Sequence, residues 1–168
     1  MRRNLSLVLA AATLAIASQS FGKRVSRPRG WSLGLMLGAP TGLTAKQSLG
    51  GADAWDVGLG VGPGLRFQSD YLWGLAQVVS DRSSMTLDLY LGVGAVIAVP
   101  RGFCGRLNRP YDDCEGGPFV GARVPFGLDA RLHRAPVDLG IEVAPGLWFG
   151  PNFAGELLDA LLFVRFRL

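Results

Sequence analysis

Thirteen charged side chains fall at alternate positions of strand-like segments, and their types and spacing decide what chemistry the chain can do. Six are basic: Lys46, Arg66, Arg123, Arg131, Arg165 and Arg167. Seven are acidic: Asp56, Asp70, Asp88, Asp129, Asp138, Glu142 and Asp159. A period of two gathers them on one face of a sheet and leaves the other face apolar. In a narrow interior of low dielectric such groups must pair, because an unpaired buried charge is expensive. Two readings of that interior stay open: a plug closed by ion pairs, or a narrow small-solute channel. The channel reading draws on inward glycines, Gly58, Gly60, Gly62, Gly92, Gly94 and Gly140, which leave space beside the charges.

Catalysis finds no residue set. The single histidine, His133, stands beside Arg134 in a turn and reads as solvated. There is no G-x-S-x-G elbow, and the glycine runs at 58–64 and 92–94 lack both the third-glycine spacing and the following helix of a phosphate loop. No catalytic, cofactor-binding or metal-ligating residue is therefore assigned, and a non-enzyme is expected. Cys104 and Cys114 bracket a loop at 100–118, and in an exported protein they predict a disulfide. Chain-entropy arithmetic gives such a loop about 2 to 3 kcal/mol. Asp112 and Asp113 add carboxylates beside Cys114, but no CxxC pair or nearby histidine completes a metal site. Arg101, Arg106, Arg109, Tyr111, Asp112 and Asp113 give the loop both signs of charge and an aromatic ring, which makes it the place to look for an extracellular partner.

The elements that must position these groups are strands. With 24 Gly and 10 Pro, a helical bundle is disfavoured. Strands are predicted at 31–38, 42–49, 54–62, 65–74, 85–99, 119–132, 137–149 and 157–168. The fifth alternates most clearly, with Met85, Leu87, Leu89, Leu91, Val93, Ala95, Ile97 and Val99 on one face. The last, LLDALLFVRFRL, sets Ala160, Leu162, Val164, Phe166 and Leu168 against Asp159, Arg165 and Arg167. Trp31, Trp55, Tyr71, Trp73, Trp148 and Phe149 lie near strand ends, where aromatic girdles of a membrane barrel belong. A proline bulge, at Pro125 or Pro145, would invert part of a strand.

The amino terminus reads as a secretory signal peptide over 1–20: Met1-Arg2-Arg3-Asn4 is basic, and an apolar run of 13 residues, Leu5 to Ala17, follows. A basic leader at 21–30 carries Lys23, Arg24, Arg27 and Arg29 and reads as solvated. Without Arg2 and Arg3 the chain has 15 basic and 13 acidic residues, a charge of +2, so nucleic acid is an unfavoured partner. Outside the signal no apolar run reaches the length of a membrane helix, so a bilayer could be crossed only by a closed barrel.

The carboxy-terminal strand, with Val164, Phe166 and Leu168 on its apolar face, resembles the signal by which bacterial outer-membrane barrels are recognised for insertion. Gly34-Leu35 through Ala39-Pro40-Thr41-Gly42-Leu43-Thr44-Ala45-Lys46, Asp70-Tyr71-Leu72-Trp73, Arg123-Val124-Pro125-Phe126-Gly127-Leu128 and Glu142-Val143-Ala144-Pro145 resemble a family of small, poorly characterised outer-membrane barrels of spirochaetes and deltaproteobacteria. That family is similar in architecture to the OmpA and OmpX barrels. The resemblance covers 31–168 and implies an eight-stranded antiparallel up-and-down transmembrane β-barrel of the Gram-negative outer membrane, porin-like in build. Outer-membrane lipid and the barrel-insertion machinery are its implied partners, and no cofactor is implied. The function expected is structural or surface-interactive, with two alternatives: the narrow channel, or a soluble periplasmic barrel that carries an apolar ligand.

Overall fold

A computed structural model of the chain describes residues 25–62, 64–80, 84–100, 118–150 and 153–168. They form an all-β fold of nine strands: β1 (Gly30–Ala39), β2 (Thr41–Gly50), β3 (Asp53–Val61), β4 (Gly64–Ser80), β5 (Met85–Pro100), β6 (Phe119–Arg123), β7 (Phe126–Leu132), β8 (Val137–Gly150) and β9 (Phe153–Arg167). The antiparallel ladder runs β4-β3-β2-β1-β9-β8-β6-β5-β7, with further pairings of β4 with β5 and of β7 with β8. The first and last strands thus meet, Ser32 opposite Arg167 and Ala39 opposite Ala160. The sheet curls back on itself, so one face is enclosed and the other is turned out.

Alternation decides which face is which. In β3, Ala54, Asp56, Gly58 and Gly60 are buried while Trp55, Leu59 and Val61 are exposed. In β9, Leu157, Asp159, Leu161, Phe163 and Arg165 are buried, and the residues between them are exposed. The enclosed face is therefore charged, but it also holds an apolar cluster of Met36, Ala54, Leu72, Tyr90, Leu161 and Phe163.

The predicted sixth strand is broken. Pro125 has no N–H to give to a ladder, and Val124 and Pro125 separate β6 from β7. Two hydrogen bonds stitch the gap: the Val124 amide donates to the Pro145 carbonyl at 2.8 Å, and the Gly92 amide to the Pro125 carbonyl at 2.7 Å. Facing survives the break, since Arg123, Pro125 and Gly127 are all buried while Val124 and Phe126 are exposed. Pro145 stays in register opposite Leu158. Register shifts lie elsewhere: in β2 at Ser48/Gly50, and in β4 at Gly74/Ala76 and Gln77/Val79, where they bend the longest strand.

These irregularities correct the predicted architecture. Strands of 5 to 17 residues do not close evenly round an axis. The fold is a nine-stranded antiparallel sheet and not the eight-stranded up-and-down transmembrane barrel. The readings that depended on that barrel are corrected with it: outer-membrane localisation, outer-membrane lipid and insertion machinery as partners, and a structural role as an integral outer-membrane protein. No helix among the described residues is long and apolar enough to cross a membrane. Cys104 and Cys114, the loop set Arg101, Arg106, Arg109, Tyr111, Asp112 and Asp113, and the signal segment 1–20 lie outside the described residues. Among the described residues there is no disulfide.

The inward glycines make room for large neighbours rather than for solute. A Cβ on Gly127 would sit 2.5 Å from the Tyr90 hydroxyl, one on Gly92 would sit 2.6 Å from a Leu72 methyl, and one on Gly140 would overlap the Phe163 ring. The Asp70 carboxylate fills the space beside Gly94. Gly58 and Gly60 are likewise filled, by Gln68 and Pro40, and Gly62 is exposed with open space beside it, so five of the six glycines behind the channel reading face packed neighbours.

Candidate functional site

Two features stand out: the ionic interior and a trough on the outer face. The interior is built around Arg123, which is fully buried on β6. Its Nε lies 3.0 Å from Asp70 Oδ1 on β4, its Nη1 2.8 Å from Asp159 Oδ2 on β9, and its Nη2 against Glu142 Oε1 on β8. Nη1 also donates to Gln68 Oε1 at 2.9 Å. Arg66 reaches Asp159 from the other side, with Nη1 donating to Oδ1 at 2.7 Å. Of the six aromatics near strand ends, Trp148 turns inward; its ring lies 5.3 Å beneath the Arg66 guanidinium.

A second group lies toward the end of the sheet where β1 begins. Lys46 Nζ is 2.5 Å from Asp129 Oδ2, Arg131 pairs with Asp88 at 3.3 Å, and Arg167 with Asp138 at 3.4 Å. Arg165 forms a third group: it pairs with Asp56, donates to Thr44 Oγ1 at 2.9 Å, and stacks 3.9 Å over the Phe163 ring. Tyr90 on β5 touches both of the first two groups, donating to Glu142 Oε2 at 2.7 Å while Lys46 Nζ sits 5.2 Å from its ring. The structure thus places all thirteen sequence-selected charges on the enclosed face, each in an ion pair.

It adds a member that sequence reasoning placed in a solvated leader. Arg27, ahead of β1, is 4% exposed; its Nε donates to Asp88 Oδ2 at 3.0 Å and its Nη2 lies 3.4 Å from Asp129. Seven basic groups then face seven acidic ones. A hint existed, because the thirteen alone carry one negative charge too many. His133 is exposed in its turn, and its Nε2 is 2.8 Å from Thr86 Oγ1, which ties the 132–137 turn to β5.

Burial and pairing compete in setting the protonation of these groups. Burial pushes the Asp70 carboxyl up to about 7, against the pull of Arg123. Burial likewise raises Glu142 and Asp138 above the usual carboxylate range. Burial works the same way on Asp129, but Lys46 and Arg27 outweigh it and hold that carboxyl well below the usual range. Burial lowers Lys46, with Asp129 opposing. The described residues offer no cluster of metal-ligating side chains.

The outer face is apolar throughout: thirty large hydrophobic side chains among the described residues are exposed. On five adjacent strands they form a trough of about 570 Å³. Register explains its shape. Phe67, Leu59, Leu43, Leu35 and Val164 lie opposite one another across β4, β3, β2, β1 and β9, and form one wall. Val57, Ala45, Leu33 and Phe166 form the other. Between them Gly34, Thr44 and Gly58 send no side chain outward, so backbone floors the trough. Val164, Phe166 and Leu168, selected as an insertion signal, are all exposed, and the first two belong to these walls. Trp55, Tyr71 and Trp73 form an edge-to-face cluster on β3 and β4, with centroids 6.1 and 5.3 Å apart.

Compared with known proteins, the chain matches no family model, no curated protein and no solved structure.

Proposed function

We propose that this protein is a non-enzymatic carrier of an apolar ligand, held as an extended alkyl or acyl chain in the trough across β4, β3, β2, β1 and β9. The carrying observation is the trough itself: its volume is that of a small-molecule site, its walls are wholly apolar, and it crosses five strands. At a strand spacing of about 4.8 Å it runs for about 19 Å, a shape that suits a long thin chain better than a compact ring system. Ligand carriage by the enclosed face, the form in which the sequence suggests it, is inverted here. That face is filled by ion pairs and by Phe163, Tyr90 and Leu72, so the apolar ligand belongs outside.

The test is displacement of a fluorescent long-chain carboxylate by unlabelled alkyl ligands, in the parent and in Ala45→Trp, which fills the trough from one wall. Ile141→Trp, on the outer face of β8 away from the trough, is the control. Saturable binding that Ala45→Trp weakens at least tenfold and Ile141→Trp leaves alone supports carriage. Equal binding by both variants, or wholesale uptake of the protein into lipid vesicles regardless of either, would overturn it.

A further inference from the structure

At the end of the sheet where β1 begins, a cavity of about 90 Å³ opens among the strands. Five cations line it: Arg27, Arg29, Lys46, Arg131 and Arg167. Among the described residues three side-chain carboxylates serve them, Asp88, Asp129 and Asp138, and the first of these is not in the lining. Counted over side chains, the cavity therefore carries an excess of two positive charges, whereas the group around Arg123 and Arg66 has three carboxylates for two cations. Burial, and after it the proximity of Arg27, presses the basicity of Arg131 down, the response of cations crowded without enough counter-charge.

The hydrogen bonding left open there is more specific than the charge. Arg27 Nη2 is buried and makes no hydrogen bond, only the 3.4 Å ion pair with Asp129 Oδ2. Asp129 Oδ1, in the same lining, has no donor, and Asp138 Oδ1 has only the Arg167 guanidinium at 3.4 Å, without a hydrogen bond. A ligand that satisfies this wall must accept from a guanidinium and also donate to a carboxylate. A carboxylate or sulfate only accepts; a phosphate that keeps one proton does both and brings the missing negative charge.

We infer that this cavity is a binding site for a singly protonated phosphate group, with Arg27 and Arg29 as its basic contacts and Asp129 or Asp138 accepting its O–H. The site is independent of the outer trough. Its source is either free inorganic phosphate or the phosphomonoester of a larger molecule, and the two share the recognised chemistry.

The test is isothermal titration calorimetry of the full chain with inorganic phosphate, glycerol phosphate and sulfate at fixed ionic strength. Arg29→Glu is the variant of choice, because Arg29 is exposed and bonds only the Leu49 carbonyl at 2.8 Å. Unchanged thermal unfolding shows that it remains folded. Phosphate should bind saturably, sulfate at least tenfold more weakly, and Arg29→Glu should weaken phosphate at least tenfold. A tighter fit for glycerol phosphate assigns the site to a phosphomonoester, and a tighter fit for inorganic phosphate to the free ion; both support it. No saturable heat, or equal binding of sulfate and phosphate, or indifference to Arg29→Glu, would overturn it.

Discussion

Arg123 and Asp70 show what a single buried charge does in this protein. Arg123 holds three carboxylates, yet burial still leaves Asp70 with a carboxyl near 7 while Arg123, Glu142, Asp56 and Arg66 surround it. In the unfolded chain an aspartate titrates near 3.9, so between about pH 4 and pH 7 the folded state binds a proton that the unfolded state has released. Stability must then fall as pH rises through that window and level off above it. Asp138 and Glu142, also raised, act in the same direction. Asp129, held low by Lys46 and Arg27, acts oppositely and loses its contribution as pH drops below its unfolded value. We expect the melting temperature to peak in mildly acidic buffer, and Asp70→Asn to flatten the decline toward pH 8; a slope unchanged by that substitution would show that Asp70 is ionised throughout. At this scale the sequence was highly legible, because a period of two sorts charges from apolar residues without knowledge of the fold. Arg27 was hidden because it precedes the first alternating segment, where periodicity has nothing to say.

Strands were legible as strands, but their continuity was not. The alternation Arg123, Pro125, Gly127 passes through the break between β6 and β7 without changing face, so periodicity sees one strand where hydrogen bonding makes two. The bulges of β4 were equally silent, since Val78 and Val79 are both exposed and simply end the pattern. Glycines misled in a different way: read as open space, they are contact points for bulky neighbours on the next strand. Gly140 on β8 lies against the Phe163 ring of β9. Gly140→Val should therefore drive Phe163 off its rotamer and destabilise the protein by about 1 to 3 kcal/mol, measured by denaturant unfolding. The accompanying change Phe163→Leu should recover part of that loss. If Gly140→Val is neutral, the enclosed face is looser than its contacts indicate.

On the scale of the whole molecule, the polarity of an ordinary globular domain is reversed. Single soluble domains rarely expose an apolar patch of more than a few hundred Å², whereas here the outer side of nearly every strand is apolar. Without a ligand or amphiphile the protein should associate with itself in a concentration-dependent manner, as sedimentation velocity would reveal. A bound alkyl chain should shift the distribution toward the smallest species and raise the melting temperature by mass action. A monodisperse monomer in plain buffer would contradict this. The candidate site was the least legible part of the molecule, because a trough made by register across five strands depends on which residues stand side by side, and no linear pattern records that. The seven-for-seven interior has a further consequence for how such a sequence can change over time. The outer face can drift one residue at a time among apolar types, since each position meets few fixed neighbours. The inner face can drift only in coupled steps of opposite sign, a loss at Arg27 tolerated after a loss at Asp88 or Asp129. Descendants of this chain should therefore differ freely on one side of every strand and in matched pairs on the other.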